Sequence, residues 1–111
     1  MSGFDDTNFT TTSVTAAYSA SANDYVILYT TAGGAFAITL PAASAALAGR
    51  TYVLVQTASS TNAMTLKTAG GTINGTAGGT GIALTASKIG LVHAVCDGTN
   101  WFAGGGTLVL S

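Results

Sequence analysis

His93 and Cys96 are the only histidine and the only cysteine of the chain, three residues apart. An imidazole and a thiol are what a nucleophilic enzyme or a metal site would use. A catalytic base, however, needs a nucleophile and an orienting acid, and no spacing in this sequence pairs them with His93. A metal needs more ligands than one His and one Cys readily give. In a strand, residues three apart point to opposite faces, so the two side chains diverge. His93 shares parity with Ile89, Leu91 and Val95, which predicts a core or interface histidine on an apolar strand face. Both residues read as structural.

The acids are Asp5, Asp6, Asp24 and Asp97. Glycoside hydrolysis needs two carboxylates flanking a cleft. Asp24 and Asp97 would have to meet through tertiary packing, and Asp97-Gly98-Thr99-Asn100 is turn chemistry. Gly78-Gly79-Thr80-Gly81 has the glycine content of a phosphate loop, but no Lys-Ser/Thr follows and no helix opens after it. Tyr25, Tyr29, Trp101 and Phe102 are candidates for stacking on a sugar ring or for a subunit interface. In a small β domain such aromatics are more often core or interface. The expectation is a protein that is not an enzyme and takes no cofactor or metal.

The composition points to association. Only 6% of the 111 residues are charged, against about 25% in a typical soluble domain. The net charge of −1 gives little charge repulsion between molecules. Such a surface is either covered by other subunits or wetted by hydroxyls and backbone. With Arg50, Lys67 and Lys88 as the only cations, there is no footprint for nucleic acid and no basic amphipathic stretch for a membrane surface. The start lacks the basic and apolar regions of a signal peptide, so synthesis in the cytoplasm is expected.

The elements that must position these residues are strands. Tyr25 to Tyr29 is a continuous apolar run, the pattern of a strand buried on both faces. Phe36, Ile38 and Leu40 alternate with Ala35, Ala37 and Thr39, the period of a half-buried strand, and Pro41 ends it. Residues 42–48 form a loop or one helical turn closed by Gly49. Thr51–Gln56, Ala63–Lys67, Ile82–Thr85, Lys88–Cys96, Thr99–Ala103 and Thr107–Leu110 follow, with Asn74-Gly75 as a tight-turn signal. About eight to ten short strands with turns between them predict a sandwich or barrel. Thr-Ala-Gly-Gly recurs at 31–34, 68–71 and 76–79, read as reused turn chemistry. Residues 1–13 read as an extended arm ahead of a β domain over 14–111. Phe4 and Phe9, with Asp5 and Asp6, are its candidate anchors.

Four segments in this order carry a family resemblance: Asp24–Leu28; Ile38-Thr39-Leu40-Pro41-Ala42-Ala43; Gly49–Leu54 with a Ser/Asn turn and Met64-Thr65-Leu66; and Val95–Phe102 with its Asp-Gly-Thr-Asn-Trp hairpin. Together they resemble a β module of tailed-phage virion proteins found in tail fibres, head fibres and capsid decoration proteins. The resemblance implies a homotrimer of jelly-roll-like or barrel-like subunits without enzymatic activity. A chain that is nearly all module plus a short arm is more similar to a decoration, or cement, protein than to a fibre segment. The expected partner is then the major capsid protein of the same virion, bound on the capsid exterior through Phe4, Asp5, Asp6 and Phe9. The alternative is a tail- or head-fibre module that binds a host receptor or glycan.

Overall fold

A computed structural model describes residues 11–85, 90–104 and 109–110. These residues build an all-β structure of two sheets. In chain order the strands are β1 (Thr11–Val14), β2 (Tyr18–Ser19), β3 (Val26–Tyr29), β4 (Phe36–Leu40), β5 (Thr51–Gln56), β6 (Met64–Thr68), β7 (Thr72–Ile73), β8 (Thr76–Ala77), β9 (Ile82–Thr85), β10 (Gly90–Cys96), β11 (Trp101–Gly104) and β12 (Val109–Leu110). The larger sheet has the order β1-β3-β5-β10-β11-β7-β8, the smaller β12-β9-β6-β4-β2. The smaller sheet carries strict alternation: Ile38 and Leu40 of β4, Met64 and Leu66 of β6, and Ile82 and Leu84 of β9 point inward and are buried. They meet Ile27, Tyr29, Tyr52, Leu54, Val92, Ala94, Cys96 and Trp101 from the larger sheet in one core.

The layering is that of a sandwich, and the connectivity mixes ladders of both kinds. From β1 to β6 successive strands alternate between the sheets. Consequently β1, β3 and β5 pair in parallel in one layer, and β2, β4 and β6 pair in parallel in the other. The first half of the chain is thus wound as a coil, and the second half closes both sheets with mainly antiparallel pairs.

Turn chemistry falls where the sequence places it. A 3-10 turn spans Ala45–Leu47, and Gly49 follows it at φ 85°, a backbone conformation glycine adopts without strain. Asn74 and Gly75, at φ 52° and 81°, join β7 to β8 as the two central residues of a hairpin turn. The Thr-Ala-Gly-Gly segments are turns that grip other segments. Thr31 Oγ1 donates to the Asn62 carbonyl at 2.7 Å, and Thr68 Oγ1 donates to the Pro41 carbonyl at 2.9 Å. The second and third copies interlock, with Thr68 N–H donating to Gly78 O and Gly78 N–H to Gly71 O.

That interlock leaves no room for a side chain at Gly78. A Cβ there would stand 2.5 Å from Thr68 Cγ2, 2.7 Å from Thr68 O and 2.8 Å from Gly71 O. Gly78→Ala is expected to destabilise the protein by about 1–3 kcal/mol, the usual cost of forced overpacking. Gly79→Ala, where no atom lies within 4 Å, is expected to stay within about 0.5 kcal/mol of wild type. Urea midpoints of the two variants check the pair.

Two sequence expectations are corrected. Thr11, Thr12 and Ser13, read as arm, belong to β1, which pairs with Val26–Leu28; the part of the arm before them, with Phe4, Asp5, Asp6 and Phe9, lies outside the described residues. The run Tyr25–Tyr29 is buried on one face only: Ile27 and Tyr29 are covered, whereas Val26 and Leu28 are half-exposed. The final strand expected over Thr107–Leu110 is described at Val109–Leu110 alone.

Candidate functional site: the outer face of the larger sheet

The two sheets differ on their outer faces. On the smaller sheet the outward side chains are Ser19, Ala37, Thr39, Thr65, Lys67 and Ala83, aligned by the ladders Ser19↔Thr39, Ala37↔Thr65, Thr39↔Lys67 and Thr65↔Ala83. They are small or polar and suit water. On the larger sheet the registers Val26↔Val53, Leu28↔Val55, Leu91↔Val55, His93↔Val53, Val95↔Thr51 and Val95↔Phe102 put Val26, Leu28, Val53, Val55, Leu91, Val95 and Phe102 on one surface, with His93 in its middle and Thr51 beside Val95. Val95 is 38% and Phe102 50% exposed. Thr11 and Ser13 of β1 lie at one margin and Gly104 of β11 at the other.

The alternation of β10 decides the positions of His93 and Cys96. Val92, Ala94 and Cys96 face the core, and His93 and Val95 face out. His93 therefore keeps the apolar company expected of it, but on the outer face, and it is not a core histidine of the single chain. Cys96 lies on the opposite face and is buried. Among the described residues no three of His, Cys, Asp and Glu come together as metal ligands.

The charged groups among the described residues are held elsewhere. Asp24, almost fully buried, accepts from Tyr18 Oη at 2.6 Å and Ser21 N–H at 2.8 Å, and also from the hydroxyls of Thr12 and Ser21. Burial alone would push its carboxyl up, but these donors outweigh it and hold the group below the ordinary carboxylate value. The same carboxylate raises the Tyr18 phenol, by its hydrogen bond first and by burial and charge next. Arg50 donates to the backbone carbonyls of Asp24, Ala22 and Thr51 and lies 4.0 Å over the Tyr52 ring. Tyr52 in turn donates to Ser21 O at 2.8 Å. This cluster fastens β1, β2 and β5 to the 20–25 loop. A carboxylate saturated with donors is a poor proton donor.

Asp97 makes the expected turn: its Oδ1 accepts from the N–H groups of Thr99 and Asn100, both at 2.8 Å. Those donors, Asn100 first, hold its carboxyl below the ordinary value. Asn100 Oδ1 accepts from Thr72 N–H at 2.9 Å, which docks the turn onto β7. Asp24 and Asp97 are thus each consumed by their own surroundings.

Of the four candidate stacking aromatics, two are removed from the surface. Trp101 and Tyr29 are buried. Trp101 packs on Tyr52 with ring centroids 5.7 Å apart and donates its indole N–H to Pro41 O at 2.9 Å, joining the two sheets. Tyr29 meets Phe36 edge-on at 6.3 Å, and burial pushes its phenol up to about 12. Tyr25 and Phe102 keep exposure. A shallow groove lined by Thr15, Ala16, Ala17, Gly33, Gly34, Ala35 and Phe36 has a single hydroxyl side chain and no charge, too little to orient a ligand. Comparison of the chain with protein-family models, curated proteins and solved structures finds no match in any of the three.

Proposed function

We propose that this chain is a structural virion protein, a capsid decoration protein that binds the assembled head shell as a homotrimer and stabilises it. The observation that carries the reading is a sheet face with seven large apolar side chains and, among the described residues, no acid, lysine or arginine, on a chain of which only 6% is charged. That is the surface of a protein that works by association. The resemblance of four ordered segments to tailed-phage virion modules supplies the setting, and the all-β packing of two sheets is compatible with it. Three arms per trimer, anchored by Phe4 and Phe9, would act together through effective concentration. Binding of the assembled shell and not of free subunits shifts the equilibrium toward the shell.

The fibre reading, receptor or glycan binding, has less behind it. Burial of Trp101 and Tyr29 leaves no broad aromatic platform among the described residues. Co-sedimentation with particles that lack the protein separates the two. Decoration predicts hundreds of copies per particle, and a few to a few dozen would indicate a fibre. Deleting residues 1–10, which spares β1, is expected to leave a folded protein that binds particles at least about thirty-fold more weakly, since one buried aromatic anchor is often worth about 2 kcal/mol. Wild-type binding by that deletion would move attachment to the β body.

A further inference from the structure

We infer that the outer face of the larger sheet is where copies of this chain meet. The inference deepens the homotrimer reading, and rests on it, by assigning the surface through which the subunits join.

The first support is a mismatch between sequence pattern and coverage. Strands covered on both sides read as unbroken apolar runs, whereas strands with one wet side alternate. The central strand β3 (Val26-Ile27-Leu28-Tyr29) and the middle of β5 (Tyr52-Val53-Leu54-Val55, between Thr51 and Gln56) are of the first kind, and so is β10 apart from His93. Yet only one of their faces is covered: Ile27, Tyr29, Tyr52 and Leu54 are buried, and Leu28, Val53 and Val55 are half-exposed. The smaller sheet gives the internal comparison, since Thr65 and Lys67 of β6 alternate with buried Met64 and Leu66. The chain writes a wet outer face where it has one. The larger sheet's outer face is written for cover.

The second support is what that cover must be. Of the charged side chains in the described residues, Asp24 and Arg50 are tied into the polar cluster, Asp97 into its turn, and Lys67 stands on the other sheet. A face without fixed charge suits the threefold axis of a trimer, around which three copies of the same face meet with no ion left unpaired and no like charges opposed. A charged partner would have to bury its own ions against Val and Leu, at high cost. The layout is also that of an interface, with an apolar centre and hydroxyl or glycine margins at Thr11, Ser13 and Gly104. From strand spacing and rise, the apolar centre across β3, β5, β10 and β11 measures on the order of 300 Å² in projection, the size at which the largest apolar patch of a monomer is often functional. His93 sits at this centre and, as the only histidine, is a natural reporter of cover.

The test uses the full chain. Light scattering of wild type at micromolar concentration is expected to give three times the 10.9 kDa chain mass. Val53→Asp and Val95→Asp are expected to give the single-chain mass with an unchanged far-ultraviolet spectrum. Thr65→Asp, on the outer face of the other sheet, is expected to keep the wild-type mass. On unmutated protein, diethyl pyrocarbonate is expected to modify His93 at least tenfold more slowly than a histidine peptide. Phe102→Asp is expected to restore the peptide rate, so the assignment is tested even where an aspartate in β5 prevents folding. Val53→Asp and Val95→Asp variants that fold and keep the wild-type mass, or a wild-type His93 that reacts at the peptide rate in an intact trimer, overturn the face and leave the trimer standing. A monomeric wild type overturns both. Protection of His93 that is lost on deleting residues 1–10 while the trimer persists shows that the chain's own N-terminal segment covers the face, and also overturns the inference.

Discussion

Trp101→Ala is expected to cost about 3–5 kcal/mol of stability, the range for emptying a large aromatic site in a packed core. The indole is fully buried at the join between the sheets. It fills space against Tyr52 and donates to the Pro41 carbonyl at the end of β4. Alanine removes the packing and one of the two donors to that carbonyl, leaving Thr68 Oγ1 as the other. Trp101→Phe keeps most of the volume, so its loss is expected to be smaller by about 2 kcal/mol, and the difference between the variants separates cavity from hydrogen bond. The measurement is a urea titration at fixed protein concentration, because oligomerisation makes apparent stability concentration-dependent. The same residue argues against a sugar platform: its fluorescence in the native protein is expected to resist acrylamide and to be unchanged by soluble glycans. Wild-type stability in Trp101→Ala would remove the indole from the core.

Asp24→Asn is expected to cost about 3 kcal/mol at neutral pH, because hydrogen bonds to a charged acceptor contribute about 1.5–3 kcal/mol each and the amide cannot accept at both positions. For a domain of this size that lowers the melting temperature by roughly 10–20 °C. The pH dependence carries a sign. The folded carboxyl is held below its ordinary value of 3.8, so its stabilisation is fully present above that value and is lost as pH falls through the lower, folded one. The gap between wild type and Asp24→Asn is therefore expected to be constant from pH 7 to about 5 and to close in stronger acid. Part of the wild-type acid slope should survive in the variant, since Asp97 is also held low. A gap that widens in acid would show that the carboxylate is not the stabilising form.

Much of the strand content was legible from local chemistry. Alternation marked Phe36–Leu40, Pro41 ended it, and Asn74-Gly75 and Asp97-Gly98 marked turns that the backbone bears out. The strand partners were not legible, because a period of two gives the facing of a strand and says nothing about its neighbour. Hence the parallel winding of β1 to β6 had no signal in the sequence. Parity placed His93 beside Val95 correctly, but a strand apolar on both sides does not announce which side is inward. The β1 boundary was missed because Thr11, Thr12 and Ser13 are polar, and their strand is set by pairing with Val26–Leu28. Asp24 read only as an acid; its donors Thr12, Tyr18 and Ser21 lie 12, 6 and 3 residues before it, a hydroxyl-rich approach that in hindsight is the signal of a capped carboxylate.

The winding of the first half also determines which part of the molecule opens first. Its initial turn supplies the edge strand β1 to one layer and the edge strand β2 to the other, so this turn can peel from the end of the stack without breaking any other pairing. Beyond its ladders, what holds it is Thr12 and Tyr18 donating to Asp24 and the partly buried Val14 and Tyr18 packed against the core. The turn is therefore expected to open as a separate cooperative unit, at a free energy below the global one. Amide exchange should reveal it as a block of residues, Thr11 to Ser19, that trades hydrogen for deuterium together and faster than β5 or β10.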